Sequence, residues 1–163
     1  MNNNDILIRL RYAFDIKDIG MVEIFKMGGI EVTKEEVQMM LKKSNEADNE
    51  ADMICSNSML DSFLNGFIIF KRGKQEPKPG HVEKPAVAIQ SKENVNNIVL
   101  KKVKIALALT SEDILAILEE AGITISKGEL GAVLRKEGHK NYKECGDRYV
   151  RNFLKGLALR YRV

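Results

Sequence analysis

The chain contains few of the residues on which enzyme active sites usually depend. Its 163 residues include two histidines, two cysteines and three prolines. So little histidine leaves acid–base and nucleophilic catalysis few groups to use. Gly28-Gly29 follows a helix-like rather than a strand-like segment, so it is not a phosphate-binding loop. We therefore predict a protein without enzymatic activity that holds neither a metal ion nor a cofactor.

Long apolar runs are also missing. No stretch approaches the length that spans a membrane, and the segment from Met1 to Asp5 lacks the positively charged start of a signal peptide. We therefore expect a cytoplasmic protein with no membrane partner. In a reducing compartment, Cys55 and Cys145 are expected to be buried apolar residues and not a disulfide.

What the sequence does contain is an internal duplication. Asn3-Asn4 matches Asn96-Asn97 at an offset of 93, and the two halves stay in register without a gap as far as residues 43 and 136. After a three-residue difference in length, the match resumes at an offset of 90, where Cys55 pairs with Cys145. Features kept in both copies are expected to be structural, and features of one copy are better functional candidates.

The duplication divides the chain into three segments. Residues 1–73 form the first repeat and residues 96–163 form the second. All three prolines lie between them, in residues 74–95, where apolar periodicity is absent. Proline removes a backbone donor and disfavours helix in the residue before it, so this segment is predicted to be a linker.

Each copy is predicted to form four helices, because apolar residues recur at spacings of three and four and no long period-two pattern occurs. Asn3-Asn4 and Asn96-Asn97 are predicted to cap the first helix. The second helix is predicted to stop at Gly29 or Gly122, where glycine can adopt a left-handed conformation. Capping boxes should begin the third helix at Thr33 and Ser126.

The fourth helix has a wide apolar face that contains Gly66 in one copy and Gly156 in the other. A glycine inside a helix costs about 1 kcal/mol relative to alanine, so we expect another backbone to pass close to both. Small modules are marginally stable alone, so the two copies are expected to pack together. The predicted fold is all-α, with two four-helix modules packed in approximate twofold symmetry.

Three stretches of the chain carry a resemblance to a known family: residues 97–102, residues 139–147, and residues 63–66 together with 71–73. In these stretches the chain resembles the YehS-like family of small bacterial proteins, which consists of two tandem copies of domain of unknown function 1456. The resemblance covers the chain except for the linker. It implies a bacterial, cytoplasmic protein, and it transfers no activity, ligand or catalytic residue.

Charge is distributed unevenly between the copies. Residues 1–74 carry 10 Lys/Arg and 12 Asp/Glu, whereas residues 94–163 carry 13 and 8. The candidate basic face comprises Arg148, Arg151, Lys155 and Arg162 of the last helix, with Lys101, Lys102 and Lys104 of the first helix of the second copy. In the first copy, the positions that match the four residues of the last helix hold Ser58, Asp61, Asn65 and Arg72. The basic face could track phosphates, or it could be a solvated helix face.

A second candidate is the loop of the second repeat that contains His139, Asn141, Tyr142 and Asp147. His139 could serve as a base toward Cys145, or both could bind a metal. However, Cys55 occupies the matching position with no histidine nearby, which favours a structural cysteine and a loop that caps the last helix.

These observations predict a non-enzymatic interaction module that binds an unidentified protein. The alternative is a nucleic-acid-binding protein that uses the basic face of the second repeat for RNA or DNA. The sequence leaves the oligomeric state open, a homo-oligomer included.

Overall fold

The structure is a computed structural model that describes residues 2–41, 54–72, 95–135 and 140–161. Within these residues the chain forms eight helices and no strand, which confirms the all-α prediction. The helices are α1 (Asn3–Phe14), α2 (Asp18–Met27), α3 (Lys34–Leu41), α4 (Asn57–Arg72), α5 (Val95–Leu107), α6 (Ser111–Glu120), α7 (Lys127–Leu134) and α8 (Asp147–Tyr161). The predicted linker lies outside the described residues except for Val95, which begins α5.

The two repeats pack through their first and last helices. Helix α1 lies against α8 of the other repeat, and α4 lies against α5. Contacts of α1 with α4 and of α5 with α8 close a ring of four central helices. Exchanging the repeats exchanges these two contacts, so the predicted approximate twofold arrangement is confirmed. The short helices pack on the outside of this ring, with α2 against α4 and α6 against α8.

One continuous core joins both repeats. Leu7 and Leu10 of α1 are fully buried, as are Leu100 and Val103 at the matching positions of α5. The core also includes the predicted apolar faces of α4 and α8. Removing a side chain of this size from water stabilises the fold by about 1.5–3 kcal/mol. The central ring therefore supplies much of the stability that a single small repeat lacks.

The predicted glycine stops of α2 and α6 are confirmed. Gly29 and Gly122 have φ angles of +96° and +97°. In each case the next residue folds back, because the Ile30 N–H donates to the Phe25 carbonyl at 3.0 Å and the Ile123 N–H donates to the Leu118 carbonyl at 2.9 Å. The left-handed glycine thus closes the helix end by satisfying carbonyls of its last turn.

The predicted capping boxes are confirmed in one repeat and half present in the other. Thr33 and Glu36 exchange both hydrogen bonds at 3.0 Å. The Ser126 side chain accepts from the Glu129 N–H at 3.1 Å. In the described structure the Ser126 N–H does not donate to the Glu129 carboxylate in return. A complete box that was not predicted joins Thr110 to Asp113 at the start of α6.

The prediction that the paired asparagines cap the first helix of each repeat is wrong. Asn2 caps α1, so Asn3 and Asn4 already lie inside that helix. In the second repeat α5 begins at Val95, so Asn96 and Asn97 are likewise internal. Their side chains bind other parts of the fold, where burial makes an unsatisfied amide costly.

The second asparagine of each pair fixes the chain segment that leads into the last helix. Asn4 accepts from the Cys55 N–H at 2.9 Å and donates to the Met40 carbonyl at 2.9 Å. Asn97 does the same, accepting from the Cys145 N–H at 2.8 Å and donating to the Val133 carbonyl at 2.9 Å. A buried amide thus ties the end of the third helix to the segment before the fourth.

The first asparagine of each pair binds the start of the last helix. Asn3 donates to the Cys55 carbonyl at 3.1 Å, and Asn96 donates to the Cys145 carbonyl at 2.9 Å. The same amide groups reach the first residue of the last helix, with Asn96 donating to Asp147 at 2.9 Å. Asparagine suits this position because one amide group supplies both donors and an acceptor.

Close backbone approach at Gly66 and Gly156 is confirmed. A Cβ at Gly66 would overlap the Ile24 carbonyl oxygen, and a Cβ at Gly156 would overlap the Ile117 carbonyl oxygen. In the first repeat Gly28 faces the Ser62 carbonyl just as closely, whereas Ala121 occupies the matching position in the second. The absence of side chains is therefore what lets α2 cross α4 in direct backbone contact.

The prediction that Lys102 belongs to an exposed basic face is wrong. Only 7% of its surface is exposed, because it lies between the repeats. Its ammonium group pairs with the Asp61 carboxylate and donates to the Asn65 side-chain oxygen at 2.7 Å. Both partners lie on α4, so this cluster ties the two repeats together.

We expect Gly66→Ala to destabilise the protein by about 1–3 kcal/mol, because the added methyl group forces α2 and α4 apart. Gly131→Ala is the matched control, since a Cβ there meets nothing within 4 Å. Alanine at that helical position should stabilise the protein by up to about 1 kcal/mol. Urea unfolding measures both changes. Equal stability of the two variants would show that the close backbone approach at Gly66 does not exclude a side chain.

We expect Lys102→Met to lower the free energy of unfolding by about 2–4 kcal/mol, because it leaves a largely buried carboxylate without its counter-charge. The double variant with Asp61→Leu removes both charges and should recover most of that loss. Lys104→Met, at a half-buried position of the same helix, is the control. Urea unfolding of wild type, Lys102→Met, Asp61→Leu and the double variant gives the coupling energy. Independent effects of the two single changes would contradict the role of this ion pair in joining the repeats.

Candidate functional site

The exposed part of the predicted basic face lies on α8. Arg148, Arg151 and Lys155 are all exposed. Among the described residues none forms a hydrogen bond or ion pair with their side chains. Helical spacings of three and four place them along one face of α8. Arg162 lies outside the described residues.

Two of the three α5 lysines predicted for this face bind other groups. Lys102 is held between the repeats, as described above. Lys101 donates to the Arg135 carbonyl at 2.7 Å and lies 5.9 Å from the centre of the Tyr142 ring. Lys104 is half-buried. Lys101 and Lys102 are thus engaged by groups outside α8, whereas the prediction for Lys104 stays a prediction.

A groove between α1 and α8 adds residues that the sequence did not single out. Arg9 and Tyr12 of α1 line it together with Lys155 of α8, and Ile8 and Leu154 add apolar surface to the lining. The groove has a volume of about 380 Å³. Comparing the repeats could have found Arg9, because it occupies the position that Lys102 occupies in the second repeat.

The second-repeat loop is described only in part, and His139 lies outside the described residues. Asn141 is exposed, and its carbonyl accepts from Arg135 at 3.3 Å. Asp147, predicted to lie in a loop that caps the last helix, is the first residue of α8. The Asn96 amide, which donates to this carboxylate, lowers the pKa of Asp147. These contacts are typical of a loop that fixes the start of a helix.

A shallower depression lies beside this loop. It has a volume of about 440 Å³, and Ile123, Lys143, Arg148 and Tyr149 are among the residues that line it. The Tyr149 hydroxyl is buried without a hydrogen-bond partner in the described structure. Burial raises the pKa of Tyr149, so the phenol is neutral at physiological pH.

Both cysteines are buried free thiols, as predicted. Burial raises the pKa of Cys55 to about 12, and burial with the nearby Asp147 charge raises the pKa of Cys145 to about 12. The thiolate is the form that acts as a nucleophile or metal ligand. At neutral pH both side chains are therefore protonated, which makes them poor nucleophiles. The asparagine clamps fix the backbone at both positions, and burial there suits a small side chain such as cysteine.

The described residues do not form a cluster of side chains that could hold a metal ion. No cluster of three or more histidine, cysteine, aspartate or glutamate side chains occurs there. The hypothesis that His139 and Cys145 share a metal remains untested, since His139 is not among those residues. In the same part of the chain, no helix combines the length and apolar character needed to cross a membrane.

We expect iodoacetamide to label the folded protein at pH 8 at least about a hundredfold more slowly than the unfolded protein, because labelling requires the thiolate. The raised pKa values also mean that the unfolded chain ionises first. The free energy of unfolding should therefore fall as pH rises above about 8.5, the ordinary thiol pKa. Mass spectrometry assigns each label, with Cys55→Ala and Cys145→Ala as controls. Fast labelling of the folded protein at either cysteine would contradict this description.

Comparison with known proteins agrees with the duplicated architecture. The family model described as "Protein of unknown function (DUF1456)" matches residues 3–73 and again residues 96–162. The chain is 42% identical over 164 residues to "Uncharacterized protein YehS" from Escherichia coli (strain K12), an alignment that covers 100% of this chain and 98% of the relative. No solved structure matches the chain. The predicted resemblance is confirmed: this chain belongs to the DUF1456 family, with one copy of the domain in each repeat.

Proposed function

We propose that the protein is a non-enzymatic interaction module that binds an acidic surface of a partner protein through α8 of the second repeat. The observation that carries this proposal is the row of Arg148, Arg151 and Lys155, which are exposed and form no salt bridge with the described residues. The corresponding residues of the first repeat include Asp61 and Asn65, which are used inside the protein to hold Lys102. The charges of α8 are thus a property of the second repeat alone.

The surroundings of these cations favour a protein partner. Tyr12 and Leu159 are 56% and 54% exposed. Leu159 lies one turn beyond Lys155 on α8, and Tyr12 lines the same groove as Lys155. Arginine and tyrosine are enriched in protein interfaces, where apolar area provides affinity and complementary charge orients the partner. The buried, protonated cysteines support a role other than nucleophilic catalysis.

The spacing of the three cations favours nucleic acid as the second candidate. Residues three and four apart on a helix form a continuous stripe that could follow successive phosphates. Binding of that kind would be nearly independent of base sequence and would weaken steeply with salt, because each neutralised phosphate releases counterions. A protein partner with a complementary apolar surface should depend less on salt.

We expect Arg148→Glu with Arg151→Glu to abolish partner binding without changing the melting temperature appreciably, because both side chains are exposed. Lys17→Glu with Lys34→Glu is the matched control, since it makes the same charge change on the first repeat. Both control positions are exposed near helix N-termini, where negative charge is tolerated. Pull-down with quantitative mass spectrometry from the native bacterium compares wild type, variant and control.

Proteins captured by wild type and control but lost in the variant support the proposal. Capture that is equal in all three proteins contradicts it. Titration of labelled single-stranded RNA and duplex DNA at two salt concentrations tests the second candidate. Suppose that nucleic-acid binding is salt-sensitive and disappears only in the variant, and that no protein partner is captured. Nucleic-acid binding then replaces protein binding as the proposed function.

A further inference from the structure

The contact between the repeats has two halves that are chemically different. In the half formed by α4 and α5, Lys102 inserts between Asp61 and Asn65. One cation there meets one carboxylate and one amide oxygen, so the charge is neutralised within the protein. The approximate twofold symmetry places the equivalent positions in the half formed by α1 and α8.

At the equivalent positions all three residues are cationic. The repeat offsets relate Lys102 to Arg9, Asp61 to Arg151 and Asn65 to Lys155. Arg9 and Lys155 line the groove between α1 and α8, and Arg151 lies one turn before Lys155 on the same helix face. Within the described residues none of the three has an ion pair or a side-chain hydrogen bond.

The nearby carboxylates do not take the place of Asp61. Asp5 lines the groove, but its carboxylate accepts the Asn2 N–H at 3.2 Å in the cap of α1. Asp147 lies one turn before Arg151 and accepts from Asn96 at 2.9 Å. These hydrogen bonds come from neutral groups and leave both carboxylates charged, and the Arg151 charge helps to lower the pKa of Asp147. Adjacent cations repel one another at short range. Three cations against two carboxylates still leave a local excess of positive charge that an external anion would balance.

The shape and lining of the groove indicate what kind of anion would fit. Its volume of about 380 Å³ lies within the range of small-molecule sites. Ile8, Leu154 and Ala158 supply apolar surface to the lining of the groove, and Tyr12 also lines it. Guanidinium groups bind tetrahedral phosphate oxygens through paired hydrogen bonds. A phosphoryl group offers three oxygens to the donors of Arg9, Arg151 and Lys155, whereas a carboxylate offers two.

We propose that this groove binds the phosphoryl group of a small phosphorylated molecule, with Arg9, Arg151 and Lys155 around the phosphate. The organic part of the ligand then lies on the apolar lining beside Tyr12, where a planar ring could stack. The site shares Arg151 and Lys155 with the proposed partner face. It depends in addition on Arg9, which the partner-binding proposal does not use.

Isothermal titration calorimetry with inorganic phosphate, AMP and adenosine tests the site. We expect saturable binding of AMP at one molecule per chain and no binding of adenosine. Arg9→Gln should weaken AMP binding by at least about tenfold, the usual effect of removing a charge-assisted hydrogen bond. Lys34→Gln, an exposed position of the first repeat, is the control and should bind as wild type does.

A second variant separates loss of the site from loss of the fold. Arg151→Asp with Lys155→Asn reproduces around Arg9 the side chains that surround Lys102 in the other half. This variant should be at least as stable as wild type in urea and should bind AMP at least about tenfold more weakly. Retained AMP binding in this variant, or in Arg9→Gln, would overturn the proposal.

The probes also distinguish the source of the phosphoryl group. AMP binding at least about tenfold tighter than phosphate supports contact with the ring, and equal binding supports a site for the phosphate ion itself. The absence of saturable binding of both probes at millimolar concentration would overturn the proposal. A pull-down with Arg9→Gln tests the phosphate site separately from the proposed partner binding. Loss of AMP binding with normal capture of the partner would show that the two functions are independent.

Discussion

The burial of four central helices against one another is the constraint on which the rest of the structure depends. Each repeat has two helices, α1 and α4 or α5 and α8, whose apolar faces extend toward the other repeat. The short helices cover only the outer side of these central helices. A module of this size buries too little surface to be robust alone, so the packing of the copies is part of the fold. A twofold arrangement follows because each copy offers the same two faces.

Duplication then shows which local devices serve that packing. Gly66 and Gly156 allow direct backbone contact at the crossing of the second and fourth helices of each repeat. Asn4 and Asn97 replace a regular connection by side-chain hydrogen bonds to buried backbone groups. Such groups must be paired, because each unsatisfied one costs about 1–3 kcal/mol. Close packing and hydrogen bonding are therefore sufficient physical reasons for both copies to keep these residues.

The same symmetry makes the differences between the copies informative. One half of the interface encloses Lys102 with its acceptors, whereas the other half presents Arg9 near Lys155 at an open groove. A shared ancestral position has thus become a structural ion pair on one side and a cluster of like charges on the other. Such a cluster is a cost to stability unless an anion occupies it. This difference connects the architecture to the proposed ligand.

The sequence alone determined the helices, the ends of α2 and α6 at Gly29 and Gly122, and the close approach at Gly66, because periodicity, left-handed glycine and the absence of a Cβ are local properties. It also located the candidate cations of α8. Only the tertiary structure decided that Asn97 is a buried clamp instead of a cap and that Lys102 is an internal ion-pair partner. It also brought Arg9 to the groove with Lys155. These roles depend on which groups, distant in the sequence, contact each side chain in the fold. Helical periodicity does not specify those contacts.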